Sequence, residues 1–223
     1  MLYKVPANIP DEHVALVEVL GIGCHAKNRA KVQKDDTIVI WGSGKVGLCI
    51  LEAVRTVTEN TVFMVDILDE RLAIGPEYYE NVIPINARNE DPVERIKKET
   101  GGKGVDIAFE AVGHEEQIPN GINPVVGCIR SIVGGGKVCV LGLGAEPAPV
   151  VFKELIWKEG TIVTSRVSHG EFSEVIEHLK HGRLKPEALI SKTLHGSETQ
   201  KGFDILEENP AGNIKILLDF NVS

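Results

Sequence analysis

The chain has 223 residues, 43% of them apolar and 25% charged, with a net charge of −8 at neutral pH. This is the composition of an ordinary soluble globular protein, large enough for one big domain or one domain plus a smaller appendage. The acidic balance argues against a nucleic-acid surface, which needs clustered Lys and Arg, and no apolar run approaches the roughly 20 residues of a membrane span.

The opening Met1-Leu2-Tyr3-Lys4-Val5-Pro6 lacks the apolar core of a secretion signal, so a cytoplasmic location is expected. Residues 1–12 read as irregular, punctuated by Pro6 and Pro10. His13–Ala30 reads as helix, with apolar residues at Val14, Val17, Leu20 and Ala26, and Gly21 and Gly23 predict a break in its middle. Lys34-Asp35-Asp36 is a charged turn. The β-branched run Thr37-Ile38-Val39-Ile40-Trp41 then leads directly into Gly42-Ser43-Gly44-Lys45-Val46-Gly47, and an amphipathic helix follows to about Thr58.

A second apolar run, Val62-Phe63-Met64-Val65, ends on Asp66. A short helix around Asp69–Ile74 is predicted to stop at Gly75-Pro76, and Val82–Ile85 is a strand limited by Pro84. Asp91–Thr100 is a helix with Pro92 in its first turn and Gly101-Gly102 after its end. Asp106–Ala111 is a strand, and a helix of uncertain start lies between Glu115 and Val133. Gly134-Gly135-Gly136 reads as a turn, Lys137–Leu141 and Gly160–Val167 as strands, and Phe172–His181 as a helix closed by Gly182. The last forty residues, from Pro186-Glu187-Ala188 to Ile214–Leu218, read as an α/β tail. Strands alternating with helices at this spacing imply a Rossmann-type, doubly wound parallel sheet with helices on both faces. Domain boundaries are expected at 1–20 (linker), 21–164 (nucleotide-binding domain) and 165–223 (tail).

Gly-x-Gly-x-x-Gly is a weak signal alone, but here it joins a strand to a helix. Gly42 permits the tight turn, Gly44 lets a pyrophosphate approach the backbone, and Gly47 lets helix pack on strand. The unsatisfied amides at the helix start attract phosphate. Asp66 lies 24 residues beyond Gly42, where a second strand presents a carboxylate to an adenosine ribose. Such a carboxylate would repel a 2′-phosphate, favouring NAD over NADP; the plainer reading is a cap for the next helix. Lys45 either adds charge near the phosphates or points to solvent. A P-loop is excluded, since Val39 stands where its first Gly must be and Val46 where Ser or Thr must follow the Lys.

Beyond this loop, the order of motifs resembles the medium-chain zinc-type alcohol dehydrogenase family, in particular its sorbitol- and threonine-dehydrogenase-like branch. The resemblance runs through Pro10–Glu18, Gly42–Gly47, Asp66 with Arg71-Leu72, Gly101–Asp106, Phe109-Glu110-Ala111-Val112-Gly113, Gly135–Val138 and Gly212–Lys215. It implies that Arg71 reaches the adenosine ribose and that Val112 and Gly113 line the cofactor groove. The Leu141-Gly142-Leu143 backbone would meet the nicotinamide end, and Lys215 the pyrophosphate. Glu18 matches a Glu that lies at or near the catalytic zinc in the polyol branch; as a bare residue it reads as an exposed helix position or an ion-pair partner.

The family also carries an N-terminal barrel-like domain with the catalytic zinc ligands and a four-cysteine zinc lobe. No residue here matches the first two of those ligands or the lobe. The four cysteines (Cys24, Cys49, Cys128, Cys139) contain no Cys-x-x-Cys pair, and no disulfide framework is expected. Two further departures are Lys34-Asp35-Asp36 in place of Pro-Gly-Asp, and Glu77-Tyr78-Tyr79 in place of a Gly-Ala turn.

Other constellations read as structural. Cys24-His25 near Glu18 would suit zinc chemically, but adjacent helix residues diverge by about 100°. His178 and His181 beside Glu174 and Glu177 suit a helix end. Ser165 and Ser168 beside His169 lack a nucleophile elbow, and Glu115-Glu116 reads as solvated charge.

The leading expectation is therefore the NAD(H)-binding portion of an alcohol or polyol dehydrogenase, inactive without its catalytic domain, with zinc only in the intact enzyme. A homodimer through the strand near Gly160–Arg166, or a separate catalytic chain, would be its partners. The alternative is a non-catalytic NAD(H)-sensing module acting through a protein partner, and last comes an enzyme using another nucleotide.

Overall fold

Alternate residues of the first strand bury on opposite faces, and this sets up both layers of the molecule. In the computed structural model, which describes residues 2–113, 122–145 and 147–221, β1 (Ile38–Trp41) is wholly buried. Ile38 and Ile40 join one apolar cluster with Leu20, Leu48, Leu51, Met64 and Phe109. Val39 and Trp41 join the other with Phe63, Ile85, Ile96 and Ile129. A strand buried on both faces is the mark of a parallel sheet covered by helices on each side.

That sheet contains β1, β2 (Val62–Asp66), β3 (Val82–Asn86), β4 (Val105–Glu110), β5 (Ile132–Val140) and β6 (Thr161–Thr164). Its order is β3-β2-β1-β4-β5-β6, with every pair parallel. This is the Rossmann arrangement, and the chain reverses direction across the sheet between β1 and β4. Of the earlier helices, α1 (Asp11–Val14) is a single turn, and α2 (Val17–Ala30) packs along α3 (Lys45–Arg55). Next come α4 (Asp69–Tyr78), α5 (Pro92–Glu99), capped by the Asp91 side chain on the Val93 amide, and α6 (Pro124–Ser131), capped by Asn123 on the Val125 amide.

Beyond the sheet, α7 (Phe152–Trp157) precedes β6, and α8 (Phe172–Lys180) returns against α2. The tail forms a separate two-stranded parallel sheet of β7 (Ile190–His195) and β8 (Lys215–Asp219), joined through α9 (Thr199–Glu208). Leu184, Leu189 and Leu217 tie this tail to the α2–α3 side of the core.

Several local expectations are corrected. The helix of residues 17–30 runs through Gly21 and Gly23, and the interruption falls at Ala15-Leu16 instead. Likewise α4 continues through Gly75-Pro76: a Cβ on Gly75 would press on Met64 and Val82, so the close seating of α4 on β2 and β3 outweighs the lost Pro hydrogen bond. The Gly134–Gly136 run lies within β5 as a bulge, because register jumps from Val105–Ile132 to Ile107–Lys137. Helix α7 was not expected at all. Among the described residues, no helix is long and apolar enough to cross a membrane.

Candidate functional site

The carboxyl ends of β1, β2, β4 and β5 form the crevice at which an open α/β sheet takes a ligand. Gly42 leaves β1 with φ of 99°, a left-handed conformation that favours glycine. A Cβ on Gly47 would lie 1.8 Å from the Gly42 carbonyl oxygen, so helix and turn touch backbone to backbone. Gly44 is the N-cap of α3 and supplies no side chain to its first amides. A Cβ built there meets nothing nearer than Arg71 Nη1 at 3.5 Å, so the mouth of the helix is open. Open amides at the positive end of an eleven-residue helix suit an anionic group. Lys45 is exposed and Val46 half-buried in the first turn.

Asp66 ends β2 beside this turn. Its Oδ2 accepts the Ser43 amide at 2.7 Å, and Oδ1 accepts the amides of Ile67 (2.7 Å) and Leu68 (3.1 Å). The Ile67 and Leu68 amides belong to the turn before α4, whose N-cap Leu68 receives no side-chain cap bond, so Asp66 fastens the turns after β1 and β2 and does not cap the next helix. Three amides occupy three of the four lone-pair positions of a carboxylate, leaving one for a ligand hydroxyl. Arg71, on α4, donates from Nη2 to the Pro210 carbonyl at 2.9 Å, drawing the tail toward Gly44. Lys215 opens β8.

Val112 and Gly113 follow β4, and Leu141, Gly142 and Leu143 follow β5. The two segments touch: a Cβ on Gly113 would lie 2.6 Å from the Leu143 amide nitrogen. Leu143 itself is 85% exposed. Gly42–Gly47, Asp66, Val112-Gly113 and Leu141–Leu143 thus follow the carboxyl ends of β1, β2, β4 and β5, with Arg71 beside Gly44, while Lys215 lies in the tail sheet and Glu18 is exposed on α2.

Neither histidine cluster makes a metal site among the described residues, where no group of three His, Cys, Asp or Glu could hold an ion. Cys24 is buried and its thiol pushed up to about 12, first by burial and then by Glu174. His25 Nδ1 lies 2.8 Å from Glu171 Oε1. Glu174 holds His178 (3.5 Å), Lys27 and Asn28, locking α8 to α2. The hydrogen bond from His178 is the main cause that draws the Glu174 carboxyl down to about 2, although burial opposes it. Ser165 is buried with its hydroxyl unpartnered. Glu115-Glu116 lie outside the described residues.

Sequence reasoning passed over two buried carboxylates. Glu110, within the recognised Phe-Glu-Ala-Val-Gly motif, is 3% exposed, and Glu52 on α3 is 1% exposed. For Glu52 a signal existed: an acid set among Ile50, Leu51, Ala53 and Val54 in a buried helix.

Fold and turn together define a dinucleotide-binding domain of the dehydrogenase type. Residues 46–181 match the family described as zinc-binding dehydrogenase, and the chain belongs to that family, the medium-chain zinc-type alcohol dehydrogenases. L-idonate 5-dehydrogenase of Vitis vinifera is 28% identical over 227 residues, covering 100% of this chain and 59% of the relative. The 2R,3R-butanediol dehydrogenase of Bacillus subtilis superposes with a TM-score of 0.88 at 25% identity, over 99% of this chain and 61% of that one. The alcohol dehydrogenase RspB of Escherichia coli CFT073, solved with NADH, shares the fold with a TM-score of 0.83 at 23% identity, over 98% and 62%. The chain spans about three fifths of the length of these relatives.

Proposed function

We propose that this chain holds NAD(H) for hydride transfer between a secondary alcohol and the nicotinamide, as the cofactor-binding part of a zinc-type alcohol or polyol dehydrogenase. The observation that carries the reading is the open turn at Gly44 with Asp66 bonded to its Ser43 amide. In this reading the α3 amides, helped by Lys45 and Lys215, hold the pyrophosphate. Asp66 takes a ribose hydroxyl on its remaining lone pair, and Arg71 flanks the adenosine. Val112, Gly113 and Leu141–Leu143 line the nicotinamide half. When bound, the cofactor supplies the hydride acceptor. Because the described residues offer no group fit for zinc, the metal and the alcohol are assigned to further polypeptide, and the chain alone is expected to turn over little or no substrate.

A titration followed by nicotinamide fluorescence tests this. It is preferable to tryptophan quenching, because exposed Trp157 would add signal unrelated to Trp41, which sits beside the loop. Saturable binding of NADH and at least about tenfold weaker binding of NADPH are expected, equivalent to about 1.4 kcal/mol. In Asp66→Ala that preference should collapse. Equal affinities in the unaltered chain would sink the assignment of Asp66.

We also propose that two copies pair through β6. This strand ends the sheet order and is mostly exposed, and Phe152, Ile156, Trp157 and Ile162 present apolar surface around it. An open strand edge beside apolar side chains favours pairing with a second copy. Light scattering at micromolar concentration should give twice the chain mass, and Ile162→Lys should return it to the single mass. A single mass for the unaltered chain would refute the dimer.

A further inference from the structure

Glu110 is a charged residue in the interior, and its partners among the described residues are all backbone amides. Oε1 accepts from Val112 at 2.8 Å and Gly113 at 3.1 Å, while Oε2 accepts from Gly142 at 3.1 Å. Its main-chain carbonyl takes the Leu141 and Gly142 amides at 2.8 and 3.1 Å. One residue at the end of β4 thus fastens both the segment after β4 and the segment after β5. The fit is close, since a Cβ on Gly142 would meet Glu110 Oε2. Charge-assisted bonds to three amides give the buried carboxylate its compensation and make it a rigid brace.

The position of this brace gives it a task. The chain reverses between β1 and β4, and a dinucleotide lies across that reversal. Asp66, at the end of β2, marks the adenosine side. The ends of β4 and β5 therefore face the nicotinamide half. With the Val112, Gly113 and Gly142 amides turned onto the carboxylate, the planar trans peptide directs the preceding carbonyls of Ala111, Val112 and Leu141 away from it. The Ala111 carbonyl lies toward Gly42. Among the described residues those of Val112 and Leu141 accept no hydrogen bond, and they match the N–H donors of a carboxamide.

We propose that Glu110 is a positioning residue that fixes the orientation of the nicotinamide ring by bracing these two segments, a role that rests on the NAD(H) reading above. Glu110→Gln is nearly isosteric but offers one accepting oxygen where two are used. Its NH2 must face an amide donor, so one segment loses its side-chain bond, and the segment after β5 is then held only by the main-chain carbonyl of residue 110.

The test compares NADH with ADP-ribose, which carries the adenosine and both phosphates but no nicotinamide. In Glu110→Gln, NADH affinity is expected to fall about tenfold, with loss of the bound-nicotinamide emission enhancement, while ADP-ribose affinity stays within about twofold. Glu110→Asp keeps the charge on a shorter arm and should fall between the two. If Glu110→Gln does not fold, Glu110→Asp against the unaltered chain carries the same comparison. Equal weakening of both ligands would mean a merely structural role and overturn the proposal, as would unchanged NADH affinity and emission. ADP-ribose binding without NADH enhancement in the unaltered chain overturns the role while leaving nucleotide binding intact. Failure of the unaltered chain to bind either ligand overturns the NAD(H) reading itself.

Discussion

Gly23→Ala is expected to destabilise the chain by about 2–3 kcal/mol, although alanine is the better helix former. Helices α2 and α3 cross with backbone against backbone, and an added Cβ on Gly23 would lie 1.9 Å from the Cys49 carbonyl oxygen and 2.4 Å from its carbon. No rotamer relieves a clash with main chain, so the helices must separate. Separation loosens a core holding Leu20, Cys24, Cys49, Ile50 and Ala53, all essentially inaccessible to solvent. The gain in helix propensity, about 1 kcal/mol, offsets only part of this. Thermal unfolding should show a drop of about 5–10 °C for a chain of this size. Gly21→Ala provides the comparison: its added Cβ would meet the Phe172 ring and Ser168 Cβ at 3.2 Å, side chains that can shift. That variant should lie within about 1 kcal/mol of the parent. Equal stability of the two variants would mean that the α2–α3 crossing is not held at Gly23.

The same glycine shows where sequence reasoning reached and where it stopped. A Gly inside a helical pattern predicts a break because propensity is a local quantity, whereas its role here is set by a helix 26 residues further on. Gly75-Pro76 misled for the same reason, since α4 is held by β2 and β3 beneath it. The glycine turn between β1 and α3 was legible because its requirements are themselves local: a β-branched strand, glycines at three fixed offsets and an acid at the end of the next strand. The parallel, doubly wound class of the sheet followed from alternation of strands and helices. Helix α7 was invisible because six residues span too few turns for a period to show, and its aromatic residues Phe152 and Trp157 face outward. The acids Glu52 and Glu110 each take a partner distant in sequence, Lys185 for one and the Gly142 segment, beside its near neighbours Val112 and Gly113, for the other. Fixed spacing does not encode such pairs.

Glu52→Gln is expected to leave stability little changed in acid and to raise it progressively above about pH 5. The Glu52 carboxyl lies between α3, the end of α4 and the 3-10 turn Pro186–Leu189 that leads into the tail. Oε2 accepts the Lys185 amide at 2.6 Å, while Oε1 is buried without a partner. The Tyr79 hydroxyl beside it is buried too, near enough to the carboxyl to favour its charged form but without a well-formed hydrogen bond to it. Lys185 Nζ is turned away onto the Tyr78 carbonyl and over the Tyr79 ring, and Glu187 adds negative potential. Burial dominates and pushes the carboxyl from 4.5 up to about 7, although the Lys185 amide and Tyr79 partly oppose it. The folded chain thus retains a proton that the unfolded chain has already released. Stability from this group is fully present below about pH 4.5 and is lost as pH rises through about 7. A shift of that size corresponds to a loss on the order of 3 kcal/mol. The Tyr79 hydroxyl and the Cys24 and Cys49 thiols are all raised by burial and stay neutral across this window. Glutamine keeps an oxygen for the Lys185 amide, carries no charge at any pH and places an N–H2 toward the Tyr79 hydroxyl. Urea unfolding at pH 5, 6.5 and 8 should therefore show an advantage for the variant that grows with pH, toward the order of 3 kcal/mol at pH 8. A pH-independent difference would mean that Glu52 ionises at its ordinary value. The carboxyl would then reach water through an opening between α3 and the tail, and the 185–189 segment would not be firmly seated on the sheet domain.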